Sequence, residues 1–200
     1  MIEKTDVVII GAGPVGLFAV FELGLLNISA QLVDNLDKPG GQCAELYPEK
    51  PIYDIPSRSS ITGQELTDEL LKQAKPFNPI FHLNQQVESI KKNDRDEWIV
   101  ETNLNKKINA KCIIIAAGSG SFVPRKPPIS GIEKYENINI FYSIRDKSIL
   151  KNKNLLIAGG GDSALDWTNE LSKIANVTLM HRRKEFRAAP DSVSKMIDLE

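Results

Sequence analysis

The chain has 200 residues, 42% of them apolar and 26% charged, with 25 basic side chains against 26 acidic ones. That composition suits one or two globular cores and excludes a mainly disordered chain. A net charge of −1 supplies no long-range field for nucleic acid or an anionic membrane, so any phosphate binding must be local. The two cysteines, Cys43 and Cys112, form neither a C-x-x-C pair nor a zinc-ligand cluster, which points to a reducing, cytoplasmic setting. The early apolar run Val7–Ile10 is far too short for a signal peptide or a membrane span, so neither export nor membrane insertion is expected.

Residues 6 to 16 read DVVIIGAGPVG, a β-branched run entering a glycine turn, as in a strand buried in a parallel sheet. A helix is predicted over Val15 to Leu26 and a second strand over Ala30 to Asp34, completing a βαβ unit. Residues 35 to 60 are rich in proline and glycine and read as a long irregular loop. Thr62 and Glu65 form a capping-box pattern opening a helix through about Ala74. Three strands of an antiparallel meander are predicted between Gln85 and Ala117, the last of them making Cys112 a core residue. A cluster of glycines and prolines from Gly118 to Gly131 marks a crossover. Beyond it, strands are expected near Ile138–Phe141, Leu155–Ala158 and Val177–Met180, with a helix from about Asp162 to Ile174. The fold class is therefore α/β with two Rossmann-like dinucleotide-binding domains. The first covers 1–118, a crossover 119–128, and the second 129–200. Only thirteen residues follow Arg187, as an unfinished helix, so the second domain reads as truncated.

The two glycine turns differ at one position. Gly11-Ala12-Gly13-Pro14-Val15-Gly16 is a G-x-G-x-x-G fingerprint between strand and helix, and Asp34 stands 23 residues after Gly11, where a carboxylate suits a ribose diol. Gly159-Gly160-Gly161-Asp162-Ser163-Ala164 repeats the pattern with alanine last, but the same count reaches Arg182, within a run that adds Arg183 and Arg187. Guanidiniums bind a 2′-phosphate that a carboxylate would repel. The bland alternatives are a structural glycine turn at the first site and a solvated basic loop at the second. The functional reading gives FAD at the first turn and NADP at the second, joined by hydride transfer.

The stretches GAGPVG, GGQCAELYPEK, IYDIP, TGQEL, IIIAAGSGSFVPRKP, GGGDSALDW and HRRKEFRA resemble the thioredoxin-reductase-like ferredoxin(flavodoxin)–NADP reductases of the pyridine-nucleotide flavoprotein superfamily. The resemblance implies FAD contacts at Asp34, Gln42 and Tyr47, at Val87 beside the adenine, at Gly118, and at Phe122 near the isoalloxazine. It implies NADP contacts along the second turn and at Arg182, Arg183 and Arg187, with ferredoxin or flavodoxin as partner and a homodimeric assembly. The cysteine pair of the disulfide reductases is missing, since position 48 is Pro and residues 140 to 150 hold no cysteine. Electrons are then expected to leave directly from the flavin. Two alternatives stay open: a thiol-linked reductase whose dithiol lies elsewhere, and a non-catalytic nucleotide-sensing module. His82 reads as structural, and His181 as a neighbour of the 2′-phosphate site.

Overall fold

Why a parallel sheet forms is plain from β1, Ile2–Ile10, whose Val7, Val8 and Ile9 are 5%, 0% and 0% exposed because apolar layers cover both faces of the strand. The computed structural model describes residues 2–121 and 126–199 of the chain. The chain divides into two compact units, Met1–Arg145 and Asp146–Glu200. Residues 129–145, expected from composition to open the second domain, are grouped with the first unit.

In the first unit β1 pairs in parallel with β2, Ala30–Val33, on one side and with β8, Lys107–Ile115, on the other. The α-helix α1, Pro14–Leu25, connects β1 to β2 and starts at a proline in its first turn, whose fixed φ suits that position. Inside the segment expected to be irregular lie a five-residue helix α2, Gly41–Glu45, and a two-residue ladder of β3, Pro51–Ile52, with β4, Ile61–Thr62. Helix α3, Gly63–Ala74, opens on the expected capping box, with Glu65 N donating to Thr62 Oγ1 at 3.2 Å and Thr62 N donating back to Glu65 Oε2 at 2.9 Å. A three-residue strand that sequence reading missed, β5 at Ile80–His82, extends the sheet beyond β2. The meander is β6, Val87–Lys92, β7, Trp98–Thr102, and β8. The sheet order is β5-β2-β1-β8-β7-β6.

One core cluster packs Val7, Ile9 and Leu32 against Leu17 and Val20 of α1 and Ala74 of α3. The other joins Val8 and Val33 to Val100, Ile108 and Ala110 of the meander. Cys112, expected in the core, is exposed on β8. The expected strand over Ile138–Phe141 is absent. Its place is taken by a turn in which Asn137, Asn139 and Ile140 engage nearby backbone, with only an isolated bridge between Glu136 and Ile140.

The second unit is a parallel pair, β9, Asn154–Ala158, and β10, Asn176–Met180, linked by α4, Asp162–Leu171, and followed by α5, Pro190–Ile197. Leu165 and Leu171 of α4 are buried, while Leu156 and Met180 on the strands stand 64% and 53% exposed. The covered face of this pair is thus the one that carries α4. Among the described residues no helix is long and apolar enough to cross a membrane, and no group of three His, Cys, Asp or Glu could hold a metal.

Candidate functional site

A cleft of about 580 Å³ opens where β1, β2 and β8 end, the position at which open α/β sheets take ligands. Gly11, Gly13, Pro14, Asp34, Gln42, Val87 and Gly118 all line it, so the structure gathers most of the first set of predicted residues. Gly16 and Tyr47 are not lining residues. Phe122 lies outside the described residues.

Each glycine of the first turn does a different job. Gly11 has φ +104°, and a Cβ there would meet Ala116 O at 2.4 Å, so the turn and the neighbouring strand end both require glycine. At Gly16 a Cβ would sit 2.0 Å from Gly11 O, which lets α1 close onto the turn. Gly13 is unlike both. Its φ is −74°, and a Cβ would meet nothing nearer than Gly41 Cα at 3.8 Å. Neither backbone nor protein packing demands glycine there, so the open space on the cleft wall is free for a group approaching the main chain closely. Gly13 also caps α1 without a side chain, leaving the helix start to meet an anion. A dinucleotide diphosphate fits this cradle.

Asp34, at the end of β2, is held by the protein itself. Its Oδ2 accepts from Ala12 N at 2.7 Å and its Oδ1 from Leu36 N at 2.9 Å, while its own N donates to His82 O at 3.0 Å. Each carboxylate oxygen keeps a further lone pair, so the group is oriented by backbone and still able to accept from ribose hydroxyls. Gln42 donates through Nε2 to Ser119 Oγ, which joins α2 to the loop after β8. Cys43, also a lining residue, shares a side-chain hydrogen bond with Tyr47, and burial pushes both groups above their ordinary pKa values. A thiol held protonated in this way is a poor nucleophile.

The second turn repeats the backbone but not the surroundings. Gly161 caps α4 without a side chain, and a Cβ there would meet only Arg187 O at 3.9 Å. At Gly159 a Cβ would strike Ala164 Cβ at 2.7 Å, so glycine permits the turn to close on the helix. Gly160 is covered by the His181 ring, which stacks on Phe186 at 5.3 Å between centroids and approaches Glu185 O through Nε2 at 3.1 Å. Arg187 N donates to Gly160 O at 2.7 Å, and this draws the basic run back beside the turn. Asp162 Oδ1 accepts from Ala189 N at 2.8 Å, so its charge is already engaged. Asp162, Ser163, Arg182, Arg183 and Arg187 are exposed. His181 therefore shapes the turn, which sequence reading placed nearby without its stacking partner.

The pyridine nucleotide-disulphide oxidoreductase model matches residues 5–199. A protein of Nitrobacter winogradskyi named ferredoxin–NADP reductase is 60% identical over 96% of this chain and 57% of its own length. One of the same name from Mesorhizobium japonicum is 58% identical over the whole chain and 58% of its own length. The solved thioredoxin reductase of Lactococcus lactis superposes with a TM-score of 0.77 at 28% identity, over 96% of this chain and 61% of that one. The chain thus spans somewhat over half the length of the curated relatives it matches. With a glycine-turn cleft in one unit, a second glycine turn in the other and a family match along nearly all its length, this chain belongs to the pyridine nucleotide-disulphide oxidoreductases.

Proposed function

We propose that this chain is the dinucleotide-binding part of a flavoprotein that passes electrons between NADPH and ferredoxin or flavodoxin through FAD, without a redox disulfide. In this reading residues 1–118 hold FAD, 119–128 cross over, and 129–200 take NADP. The observation that carries it is the pair of uncapped helix starts behind glycine turns, one beside an oriented carboxylate and the other beside exposed arginines. Bound FAD supplies hydride acceptance and one-electron release.

The chain's own residues divide the remaining tasks. Gly13, Pro14 and the start of α1 receive the diphosphate of FAD, and Asp34 accepts from its ribose. Val87 and Gly118 bound the cleft, and Gln42, braced by Ser119, lines it beside them. On the second unit, Gly159, Gly161 and Ser163 face the diphosphate of NADP, while Arg182, Arg183 and Arg187 hold the 2′-phosphate. Tyr47 serves the FAD site through Cys43, and Phe122 is proposed near the flavin ring. The absence of a C-x-x-C pair and the protonated state favoured for Cys43 support direct electron exit over a thiol relay. The relatives' names support ferredoxin as partner. A cytoplasmic homodimer completes the proposal, checked by sedimentation of the full-length protein.

The test is anaerobic addition of NADPH to the FAD-reconstituted full-length protein. The yellow colour should bleach, and ferredoxin should restore it faster than a disulfide substrate does. Failure to bleach would leave a nucleotide-sensing module, and faster reoxidation by the disulfide would restore the thiol-linked reading.

A further inference from the structure

Arg145, the last residue of the first unit, reaches two separate segments of the cleft wall. Its Nε and Nη2 lie 2.8 and 2.5 Å from Glu45 Oε2, and its Nη1 and Nη2 donate to Asp37 Oδ2 and Oδ1 at 3.1 and 2.9 Å. Ser143 Oγ adds a bond to Glu45 Oε1 at 3.2 Å. Glu45 is 8% exposed and lines the cleft, and Asp37 directly follows the lining residue Leu36. The two carboxylates pull the Arg145 pKa up, and Arg145 holds that of Asp37 down, as mutual charge stabilisation requires.

The segment these carboxylates bracket has little stiffness of its own. It contains Gly40 and Gly41, with φ +121° and +56°, and Gly41 opens a helix of only five residues. A helix that short does not persist alone in water. Gly40 N donating to Ala12 O at 2.8 Å and Gln42 bonding Ser119 hold its middle. Arg145 closes its two ends. A planar guanidinium can grip two carboxylates at once with fixed geometry, which a lysine ammonium cannot. Glu45, buried at 8% exposure, would also lose its cation if Arg145 were removed.

We propose that Arg145 is a positioning residue for the FAD cleft, fixing the Asp37–Glu45 wall through its two-carboxylate grip. The inference rests on the reading of this cleft as the FAD site. Because Gly40 and Gln42 keep their own ties, losing the grip relaxes the wall rather than demolishing it. The free energy that binding must then spend on ordering the segment appears as weaker affinity.

The experiment is FAD titration by flavin fluorescence in the full-length protein, with visible circular dichroism of the bound flavin at saturation and apo-protein melting measured in parallel. Arg145→Ala should bind FAD about tenfold more weakly and alter the bound-flavin dichroism, and Arg145→Lys should recover part of the affinity. Asp37→Asn, which removes one exposed carboxylate and leaves the Glu45 bond, should cost about threefold and decides the matter if Arg145→Ala does not fold. Unchanged FAD affinity in Arg145→Ala and Asp37→Asn, beside a wild type that binds, overturns the proposal alone. A lowered apo melting point with unchanged bound-flavin dichroism also overturns it, since the role would then be structural. A wild type that binds no FAD removes the FAD reading and the proposal together.

Discussion

The two glycine turns share a backbone and differ in what surrounds them. The first is enclosed by a six-stranded sheet, with its carboxylate clamped by Ala12 N and Leu36 N. The second sits on a two-stranded sheet, with arginines standing in solvent. In the proposed reading, recognition at the first rests on fixed geometry and at the second on exposed charge. Geometry of that kind resists salt and fails when a contact is crowded, whereas exposed charge weakens as ions screen it.

Crowding the first turn should have the largest effect. In Gly16→Ala the new Cβ would stand 2.0 Å from Gly11 O, a backbone atom that cannot swing aside. A stability loss of about 3 kcal/mol is expected, read by urea unfolding. Gly13→Ala sharpens the point. With nothing nearer than 3.8 Å it should leave unfolding within about 0.5 kcal/mol of wild type while FAD affinity drops. Equal unfolding losses in both variants would deny that Gly13 is kept for a ligand.

Next in size is the charge side of the comparison. In the full-length protein, Arg182→Gln with Arg187→Gln should raise the Michaelis constant for NADPH by at least roughly ten- to a hundredfold, the loss of a single charge-assisted bond of about 1.5–3 kcal/mol, with NADH nearly unchanged. Added salt should weaken wild-type NADPH binding and have less effect on the variant. If NADPH preference survives, the 2′-phosphate is held elsewhere.

A smaller effect concerns the support under Asp34. His82 is 5% exposed, its Nε2 2.8 Å from Gln31 Oε1, and Lys106 Nζ is 3.2 Å from its Nδ1. Only an acceptor can face that ammonium, so the ring is neutral with its proton on Nε2. Burial, then the Lys106 charge, hold its pKa below the ordinary value, with Glu3 opposing them. The unfolded chain therefore takes up the proton first as pH falls through about 6.5, and stability declines from there until the folded histidine also titrates. His82→Gln should flatten that decline in urea midpoints measured between pH 8 and 5.5. An unchanged slope would place the titrating group elsewhere.

The smallest effect is expected from Cys43→Ser combined with Cys112→Ser, which should retain most turnover per bound FAD in the full-length protein. A near-total loss at full flavin occupancy would restore a thiol relay.

Short-range signals were legible in the sequence. The β-branched run of β1, the capping box of α3 and both glycine turns each depend on neighbours in the chain, so local reading finds them. What escaped depends on distant partners. β5 has three residues and exists because β2 offers an edge, and α2 is one short turn held by Ala12 and Ser119. Ile138–Phe141 has a strand's composition, but the backbone bonds around Tyr135 close it into a turn. Cys112 shares the β-branched surroundings of a core strand, yet β8 leaves it exposed, which the strand pattern could not reveal. At the site, Asp34, Gln42 and Val87, each singled out in the sequence, line one cleft, whereas the Arg145 grip joins residues 100 and 108 positions apart and carries no local signature.

The contrast between the two turns is tested most directly by crossed calorimetric titrations of FAD and of 2′,5′-ADP into full-length Asp34→Ala and Arg182→Gln/Arg187→Gln. Asp34→Ala should lose FAD affinity and keep 2′,5′-ADP, and the arginine variant should do the reverse. If both variants lose both ligands, or each loses the other's, the assignment of one cofactor to each turn is contradicted.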